Sequence, residues 1–103
     1  MNKISRFILS NRDPRRGAVR KDIVCKDGFS FSCQASEAHY CCPRTDSPGE
    51  EGYSHVEIGF PSKKEPLLES YSSSFAGDNV FPLVPVEVVE QIIEKHGGST
   101  NLE

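Results

Sequence analysis

The sequence predicts an α+β fold: a small antiparallel sheet preceded by a short N-terminal helix and followed by a C-terminal helix. Apolar residues recur with helical spacing near both ends of the chain, at 4–8 and at 88–93. Between these ends lie short segments of alternating apolar and polar residues, separated by turn residues, as is typical of antiparallel strands. The length of 103 residues suits a single domain with one small core.

The first 21 residues are predicted to form a short helix and a basic arm. Ile4, Phe7 and Ile8 would share one face of a helix over residues 3–10, and Asn2 is a suitable N-cap. Residues 11–21 then carry five basic side chains and one aspartate, with no aromatic residue among them. The arm is therefore predicted to be charged and solvated, or to contact a charged partner.

A β-hairpin is predicted around Asp27-Gly28, because this dipeptide favours a two-residue type I′ turn. Its strands would span residues 22–26 and 29–35. In that register Cys25 lies on the polar face opposite Ser30, whereas Cys33 lies on the apolar face. A slip of one residue would change these assignments.

Three further strands are predicted, at 39–42, 53–60 and 80–84. The inner-face residues of the middle one would be Val56, Ile58 and Phe60. The last is predicted to be an edge strand, because Pro82 cannot donate to a strand ladder. Ser62 and Glu65 indicate a weak capping box for one helical turn within residues 62–71.

The C-terminal helix is predicted to begin at Pro85 and to end at Gly97. Its buried stripe would comprise Val88, Val89, Ile92 and Ile93. His96 extends this stripe, so it is expected to point inward from the end of the helix. Residues 22–101 are thus expected to form one domain. Leu102-Glu103 is interpreted as a cloning scar.

All four cysteines and one histidine lie within residues 25–42. We predict that a structural zinc ion staples the domain, because tetrahedral zinc prefers thiolate and imidazole ligands, and a cytoplasmic chain keeps its thiols reduced. The predicted strand faces bring Cys25, His39 and Cys41 together. His96 is the fourth predicted ligand.

Other interpretations of the cysteines remain open. The C-terminal helix should cover the apolar face, so Cys33, Cys42 and His96 with one more ligand form an alternative site. Some or all of the cysteines could instead be inert buried side chains. No flanking pattern supports a catalytic thiol, and the chain has no glycine loop that would bind phosphate. The protein is therefore predicted not to be an enzyme.

The charge of the chain is unevenly distributed. Residues 1–26 carry eight basic and two acidic side chains, a balance of +6, whereas the remainder carries four basic and thirteen acidic ones, a balance of −9. The acidic remainder would repel nucleic acid, so a protein partner is favoured over DNA. Neither a secretory signal nor a membrane-spanning segment is predicted, and a cytoplasmic location is expected.

Six segments between Cys25 and Gly98 carry a resemblance to known proteins. They are Asp27-Gly28-Phe29, Ser32-x-Gln34-Ala35, Tyr40-Cys41-x-Pro43-Arg44, Val56-Glu57-Ile58-Gly59-Phe60-Pro61-Ser62, Val84-Pro85-Val86 and His96-Gly97-Gly98. With them the chain resembles a family of small proteins encoded by bacteriophages and prophages. Its size and cysteine cluster make it similar to type II-A anti-CRISPR proteins. The basic arm lies outside this pattern.

The resemblance implies an inhibitor that binds the type II CRISPR nuclease in the host cytoplasm and blocks loading of target DNA, as a monomer or weak oligomer. The nuclease holds its nucleic acid in positively charged channels. The acidic candidate contacts are Glu50, Glu51, Glu57, Glu65, Glu69, Glu87 and Glu90. The alternative function is a nucleic-acid-binding phage accessory protein that uses the basic arm.

Overall fold

A computed structural model describes residues 1–15 and 17–102 and confirms the predicted α+β fold. In these residues four antiparallel strands form one sheet in the order β1-β2-β3-β4, accompanied by two α-helices and a 3-10 helix. The elements are α1 Lys3–Asn11, β1 Ile23–Val24, β2 Ser30–Gln34, β3 His55–Gly59, the 3-10 helix Pro66–Tyr71, β4 Val80–Pro85 and α2 Val86–Lys95. Within the same residues, no helix has the length and apolar character needed to span a bilayer.

Helix α1 confirms both the predicted N-terminal helix and its cap. The Asn2 side chain accepts a hydrogen bond from the Ser5 backbone N–H at 2.8 Å, which satisfies one of the free donors of the first turn. The predicted apolar face is buried and joins one core with the inner faces of the sheet and α2.

The β1–β2 hairpin forms, but its register differs by one residue from the prediction. Val24 pairs with Ser30. The Cys25 N–H donates to the Phe29 carbonyl at 2.8 Å, so the loop between these two residues has three residues, 26–28. The Gly28 N–H donates to the Cys25 carbonyl at 3.0 Å. Gly28 has a φ of +93°, which fits a turn that ends in a left-handed residue. Cys25 therefore lies on the buried face, and its predicted polar-face position is wrong.

Strands β3 and β4 are confirmed, with β4 at the edge of the sheet. Val56 and Ile58 are buried as predicted, but the inward orientation of Phe60 is wrong. Phe60 follows β3 with a φ of +50°, and its side chain is 66% exposed. The β3–β4 register shifts between Val56 and Ile58, and Leu83 also adopts a left-handed conformation, with a φ of +53°.

The segment at 39–42 is not a continuous strand. The Cys41 N–H donates to the His39 carbonyl at 3.0 Å, which closes a tight turn. Cys42 then pairs with His55 in an isolated bridge. The predicted strand is wrong because this turn interrupts the extended backbone that a strand requires.

The capping box at 62–65 is also wrong, because Glu65 rather than Ser62 caps the 3-10 helix. The Glu65 side chain accepts a hydrogen bond from the Leu67 N–H at 3.0 Å, and Pro66 occupies the first helical position, where a missing N–H costs nothing.

Helix α2 ends in a Schellman motif, as the predicted stop at Gly97 implies. The Gly98 N–H donates to the Ile93 carbonyl at 2.9 Å, and the Gly97 N–H donates to the Glu94 carbonyl at 3.0 Å. Gly97 supplies the required left-handed conformation with a φ of +90°. His96 is consequently the C-cap residue.

The C-terminal segment pairs with β1 and covers that edge of the sheet. The Lys26 N–H donates to the Gly98 carbonyl at 2.9 Å, and the Thr100 N–H donates to the Val24 carbonyl at 2.7 Å. Leu102, interpreted as part of a scar, packs against the core. Glu103 lies outside the described residues.

Candidate functional site

His96 lies at the centre of a cluster of charged side chains. Its Nδ1 lies 2.6 Å from Asp27 Oδ2, and its Nε2 lies 2.7 Å from Glu65 Oε1. The His96 side chain is 9% exposed, and its imidazole stacks on the Phe29 ring with a centroid distance of 4.1 Å. The cluster thus joins the hairpin turn, the start of the 3-10 helix and the end of α2.

Glu65 is the most deeply buried carboxylate of this cluster, with its side chain 1% exposed. Lys95 Nζ lies 2.7 Å from Glu65 Oε2, the same oxygen that caps Leu67. Two carboxylates therefore face the side chains of His96 and Lys95. Buried charges are tolerated when they are paired and hydrogen-bonded in this way.

The pKa values in the cluster follow these contacts. Burial alone would lower the pKa of His96, but its hydrogen bonds to Glu65 and Asp27 raise it above the usual value. Burial would raise the pKa of Glu65, but hydrogen bonds from Leu67, Lys95 and His96 lower it to about 2. The hydrogen bond from the Phe29 N–H, followed by that from His96, lowers the pKa of Asp27.

Cys25 and Cys33 are both buried in the apolar core. The one-residue change of hairpin register brings them onto the same face of the sheet, contrary to the prediction that they lie on opposite faces. Burial raises the pKa of each thiol, and the carboxylate of Asp27 raises that of Cys25 further. Both thiols are therefore kept in the neutral form.

His39 and Cys41 both contact Ser36 in the turn after β2. His39 Nδ1 lies 2.6 Å from Ser36 Oγ, and Cys41 Sγ lies 3.2 Å from the Ser36 carbonyl oxygen, to which it donates. Burial lowers the pKa of His39 and raises that of Cys41. The remaining cysteine, Cys42, is exposed.

The predicted zinc ligands do not fit a metal site in this arrangement. Both ring nitrogens of His96 face carboxylates. The prediction that Cys25 shares a strand face with His39 and Cys41 depended on a two-residue turn in the hairpin, whereas the hairpin has a three-residue loop. In the part of the chain that the structure describes, no three His, Cys, Asp or Glu side chains are positioned to hold a metal ion. Zinc binding stays a prediction from the sequence.

No feature of the described cavities suggests thiol chemistry. A groove of about 500 Å³ beside the 3-10 helix is lined mainly by charged and polar side chains, among them Lys63, Glu69 and Asn79. Neither this groove nor the three other described cavities has a cysteine or histidine in its lining. A nucleophilic thiol needs both access and a lowered pKa, and the thiols of Cys25, Cys33 and Cys41 are buried with raised pKa values.

The basic arm folds back onto the domain. Arg12 Nη1 donates to the Asp46 carbonyl at 2.6 Å, and Nη2 donates to the Tyr53 hydroxyl at 2.9 Å and to the Ala35 carbonyl. Arg20 Nε lies 2.8 Å from Asp13 Oδ2. Arg12 is thus a cross-link inside the domain, which its position in a basic run did not reveal.

Val19 also holds the arm in place, through Gln34 on β2. The Val19 N–H donates to Gln34 Oε1 at 2.8 Å, and Gln34 Nε2 donates to the Val19 carbonyl at 2.5 Å. Arg15 and Lys21 are exposed. Arg16 lies outside the described residues.

The acidic candidate contacts occupy different environments. Glu50, Glu51, Glu87 and Glu90 are exposed, whereas Glu69 pairs with Lys64 at 3.1 Å. Glu57 is half-buried, and its Oε2 accepts a hydrogen bond from the Tyr40 N–H at 2.8 Å. Glu65 is wrong as a surface contact because its side chain is buried against His96.

Comparisons with models of protein families, with curated proteins and with solved structures found no match to this chain. The membership of a phage protein family that the sequence segments imply stays a prediction.

Proposed function

We propose that the protein is a phage-encoded inhibitor that acts by binding a host protein, the type II CRISPR nuclease, and by blocking the loading of target DNA in the host cytoplasm. The mechanism requires no chemical step. An acidic surface would occupy the positively charged channel that otherwise holds nucleic acid. Burial and the raised pKa values of the Cys25, Cys33 and Cys41 thiols support a binding role over thiol catalysis at these three residues.

The observation that carries this proposal is a difference in exposure: a basic side chain of the arm is bound inside the domain, whereas acidic side chains of α2 face the solvent. Arg12 of the basic arm binds carbonyl groups inside the domain. By contrast, Glu87, Glu90 and Glu94 follow one another at spacings of three and four residues along α2, and all three are exposed. Residues at these spacings lie on the same side of a helix. The acidic side chains are therefore available to attract a basic surface.

Exposure of Arg15 and Lys21 favours the alternative, an accessory protein that binds nucleic acid through the arm. The two functions differ in their dependence on salt and on the nuclease. Binding to DNA alone, with an affinity that falls steeply as salt rises, would favour the accessory protein.

The deciding experiment measures binding of the purified protein to the nuclease with its guide RNA, and to duplex DNA alone, by biolayer interferometry. We expect binding to the nuclease complex, competition with target DNA, and no binding to DNA alone. Binding to DNA but not to the nuclease complex would overturn the proposed function.

Variants that remove charge test whether the acidic side chains of α2 or the basic arm attract the nuclease. The triple variant E87Q/E90Q/E94Q should associate with the nuclease on the order of tenfold more slowly at low salt, because the variant loses electrostatic attraction to a basic channel. The matched control R15Q/K21Q should associate at least as fast as the unmodified protein. A slower rate for the control alone would contradict the proposed charge pairing.

A further inference from the structure

A pocket of about 520 Å³ lies between α1 and the C-terminal segment, and we call it the basic pocket. Its volume is in the range of small-molecule sites. Among the residues that the structure describes, its lining includes no carboxylate but three cationic side chains, those of Lys3, Arg6 and Lys21. The remaining lining residues are Phe7, Ser10, Asn11, Asn101 and Leu102. This composition favours a ligand that carries negative charge.

Helix α1 forms one wall of the basic pocket. Lys3, Arg6 and Ser10 follow one another at spacings of three and four residues, so they lie along one side of the helix. All three are exposed, whereas Phe7 is buried in the core. The charged and hydroxyl groups are therefore carried by a helix that the core holds in place.

Hydrogen bonds fix the other parts of the basic pocket. Asn101 Oδ1 accepts from the Val24 N–H at 3.0 Å, and Asn101 Nδ2 donates to the Asp22 carbonyl at 2.8 Å, which ties the C-terminal segment to β1. Arg6 Nε and Nη2 donate to the Met1 carbonyl at 3.3 and 3.0 Å, which orients the guanidinium. A site that is already ordered loses little conformational entropy when a ligand binds.

The basic pocket has donors left for a ligand. Within the described part of the chain, Arg6 Nη1 and the Ser10 hydroxyl make no hydrogen bond, and the Lys21 ammonium makes neither a hydrogen bond nor an ion pair. A phosphate monoester carries a charge of about −1.5 to −2 at neutral pH and has three strongly accepting oxygens. A carboxylate has only two oxygens and a single charge. A phosphate group therefore matches these donors better than a carboxylate does.

The carboxylates of α2 indicate which end of the pocket would hold an anion. A neighbouring cavity of about 410 Å³ shares Lys3 and Leu102 with the basic pocket, and its lining includes Glu90 and Glu94. These carboxylates repel an anion that approaches Lys3. Arg6 does not line that cavity, nor does Lys21. The anion is therefore expected beside Arg6 and Lys21.

We propose that the basic pocket binds one small phosphate-bearing ligand, with Arg6 and Lys21 pairing with the phosphate oxygens and Ser10 donating a hydrogen bond to them. Such charge-assisted hydrogen bonds are stronger than those between neutral groups. The half-buried Leu102 side chain contacts the uncharged part of an organic phosphate. This site is separate from the exposed glutamates of α2 and does not depend on binding to the nuclease, so it goes beyond the proposed function.

Isothermal titration calorimetry at low ionic strength tests this site, with inorganic phosphate and ADP as the two probes. We expect the unmodified protein to bind one ADP per chain. R6Q and K21Q should each weaken this binding at least tenfold, because each removes a charge that pairs with the phosphate oxygens. The matched control is R15Q, which removes an exposed arginine that does not line the pocket and should bind ADP as the unmodified protein does.

Melting temperatures of the same variants show whether a loss of affinity reflects unfolding. R6Q loses the hydrogen bonds to the Met1 carbonyl, whereas K21Q removes a side chain with no described polar contact and should melt as the unmodified protein does. If R6Q melts at a lower temperature, K21Q alone decides the outcome.

The two probes identify the source of the phosphate group. Tighter binding of ADP than of inorganic phosphate would support an organic phosphate, and equal binding would support recognition of the phosphate group alone. Failure of both probes to bind the unmodified protein, or an equal loss of affinity in K21Q and R15Q, would overturn the proposal. Binding of duplex DNA that K21Q abolishes, with no binding of ADP, would assign the pocket to nucleic acid and would also overturn it.

Discussion

His96 Nε2 lies 2.7 Å from Oε1 of the buried Glu65 carboxylate, and His96 Nδ1 lies 2.6 Å from Asp27 Oδ2. A neutral imidazole has one N–H, so it can donate to only one of these carboxylates. Both contacts are hydrogen bonds when His96 carries a second proton, and the positive charge then balances the buried carboxylate. The geometry therefore favours the imidazolium form of His96 in the folded protein.

The first prediction concerns the contribution of His96 to stability. We expect H96Q to lower the free energy of unfolding by about 2–3 kcal/mol, because removing one member of a buried charged cluster leaves Glu65 less well compensated, although Lys95 remains. Urea denaturation followed by circular dichroism measures the effect. H55Q is the matched control, since the His55 ring contacts only the Ser54 hydroxyl at 2.8 Å among the hydrogen bonds of the described residues. Equal stability of the two variants would contradict the role of His96.

The second prediction is a pH dependence with two limbs. The pKa of His96 is raised in the folded protein, so its stabilising contribution is complete below the usual value of 6.5 and is lost as the pH rises through the folded pKa. The pKa of Glu65 is lowered from 4.5 to about 2, so its contribution is present above 4.5 and is lost as the pH falls towards 2. The free energy of unfolding should therefore decline as the pH rises through the folded pKa of His96 and also as the pH falls below 4.5.

Melting temperatures measured from pH 2 to pH 9 test this expectation. The alkaline decline should be smaller in H96Q than in the unmodified protein, because glutamine does not titrate. Parallel curves for the two proteins above pH 6.5 would show that another group causes the decline. The same samples can be followed by nitrogen-15 NMR, in which both ring nitrogens of His96 should be protonated at pH 6.

The sequence was most informative where a local pattern determines the structure. Pro85 and Gly97 border the apolar stripe of α2, and both ends of that helix agree with the structure. The inward orientation of His96 was also correct, because it follows from helical spacing. Its partners were not predictable, since Glu65 and Asp27 are 31 and 69 residues away in the chain and meet His96 only after the sheet and helices pack.

The hairpin shows why the candidate metal site could not be predicted reliably. Asp27-Gly28 is compatible with a two-residue turn and also with a three-residue loop that ends in a left-handed glycine. The two loops differ by one residue in register, and that residue decides which face carries Cys25. Arg12 illustrates a second limit, because a basic run in the sequence does not distinguish a solvated arginine from one that binds buried carbonyl groups.

The third prediction concerns Arg12 and the basic arm. We expect R12A to lower the free energy of unfolding by about 2 kcal/mol, because it removes charge-assisted hydrogen bonds to the Asp46 and Ala35 carbonyls and to Tyr53. Thermal denaturation of R12A and of R15A, whose side chain is exposed, provides the comparison. R15A should match the unmodified protein. If R12A melts at the same temperature as R15A, the arm does not depend on this cross-link.

The fourth prediction separates the zinc site inferred from the sequence from the cluster seen around His96. A structural zinc ion would make the melting temperature fall after chelation, because metal binding and folding share one free energy. The described side chains instead place carboxylates on both His96 nitrogens. We therefore expect EDTA to leave the melting temperature unchanged, and elemental analysis of freshly purified protein to find less than one zinc per chain. C41S is a useful control, since it should lose bound zinc if Cys41 is a ligand and should otherwise change only the Cys41 Sγ contacts with the Ser36 and Pro43 carbonyls. One zinc per chain in the unmodified protein, absent from C41S, would establish the metal site and show that these side chains rearrange around it.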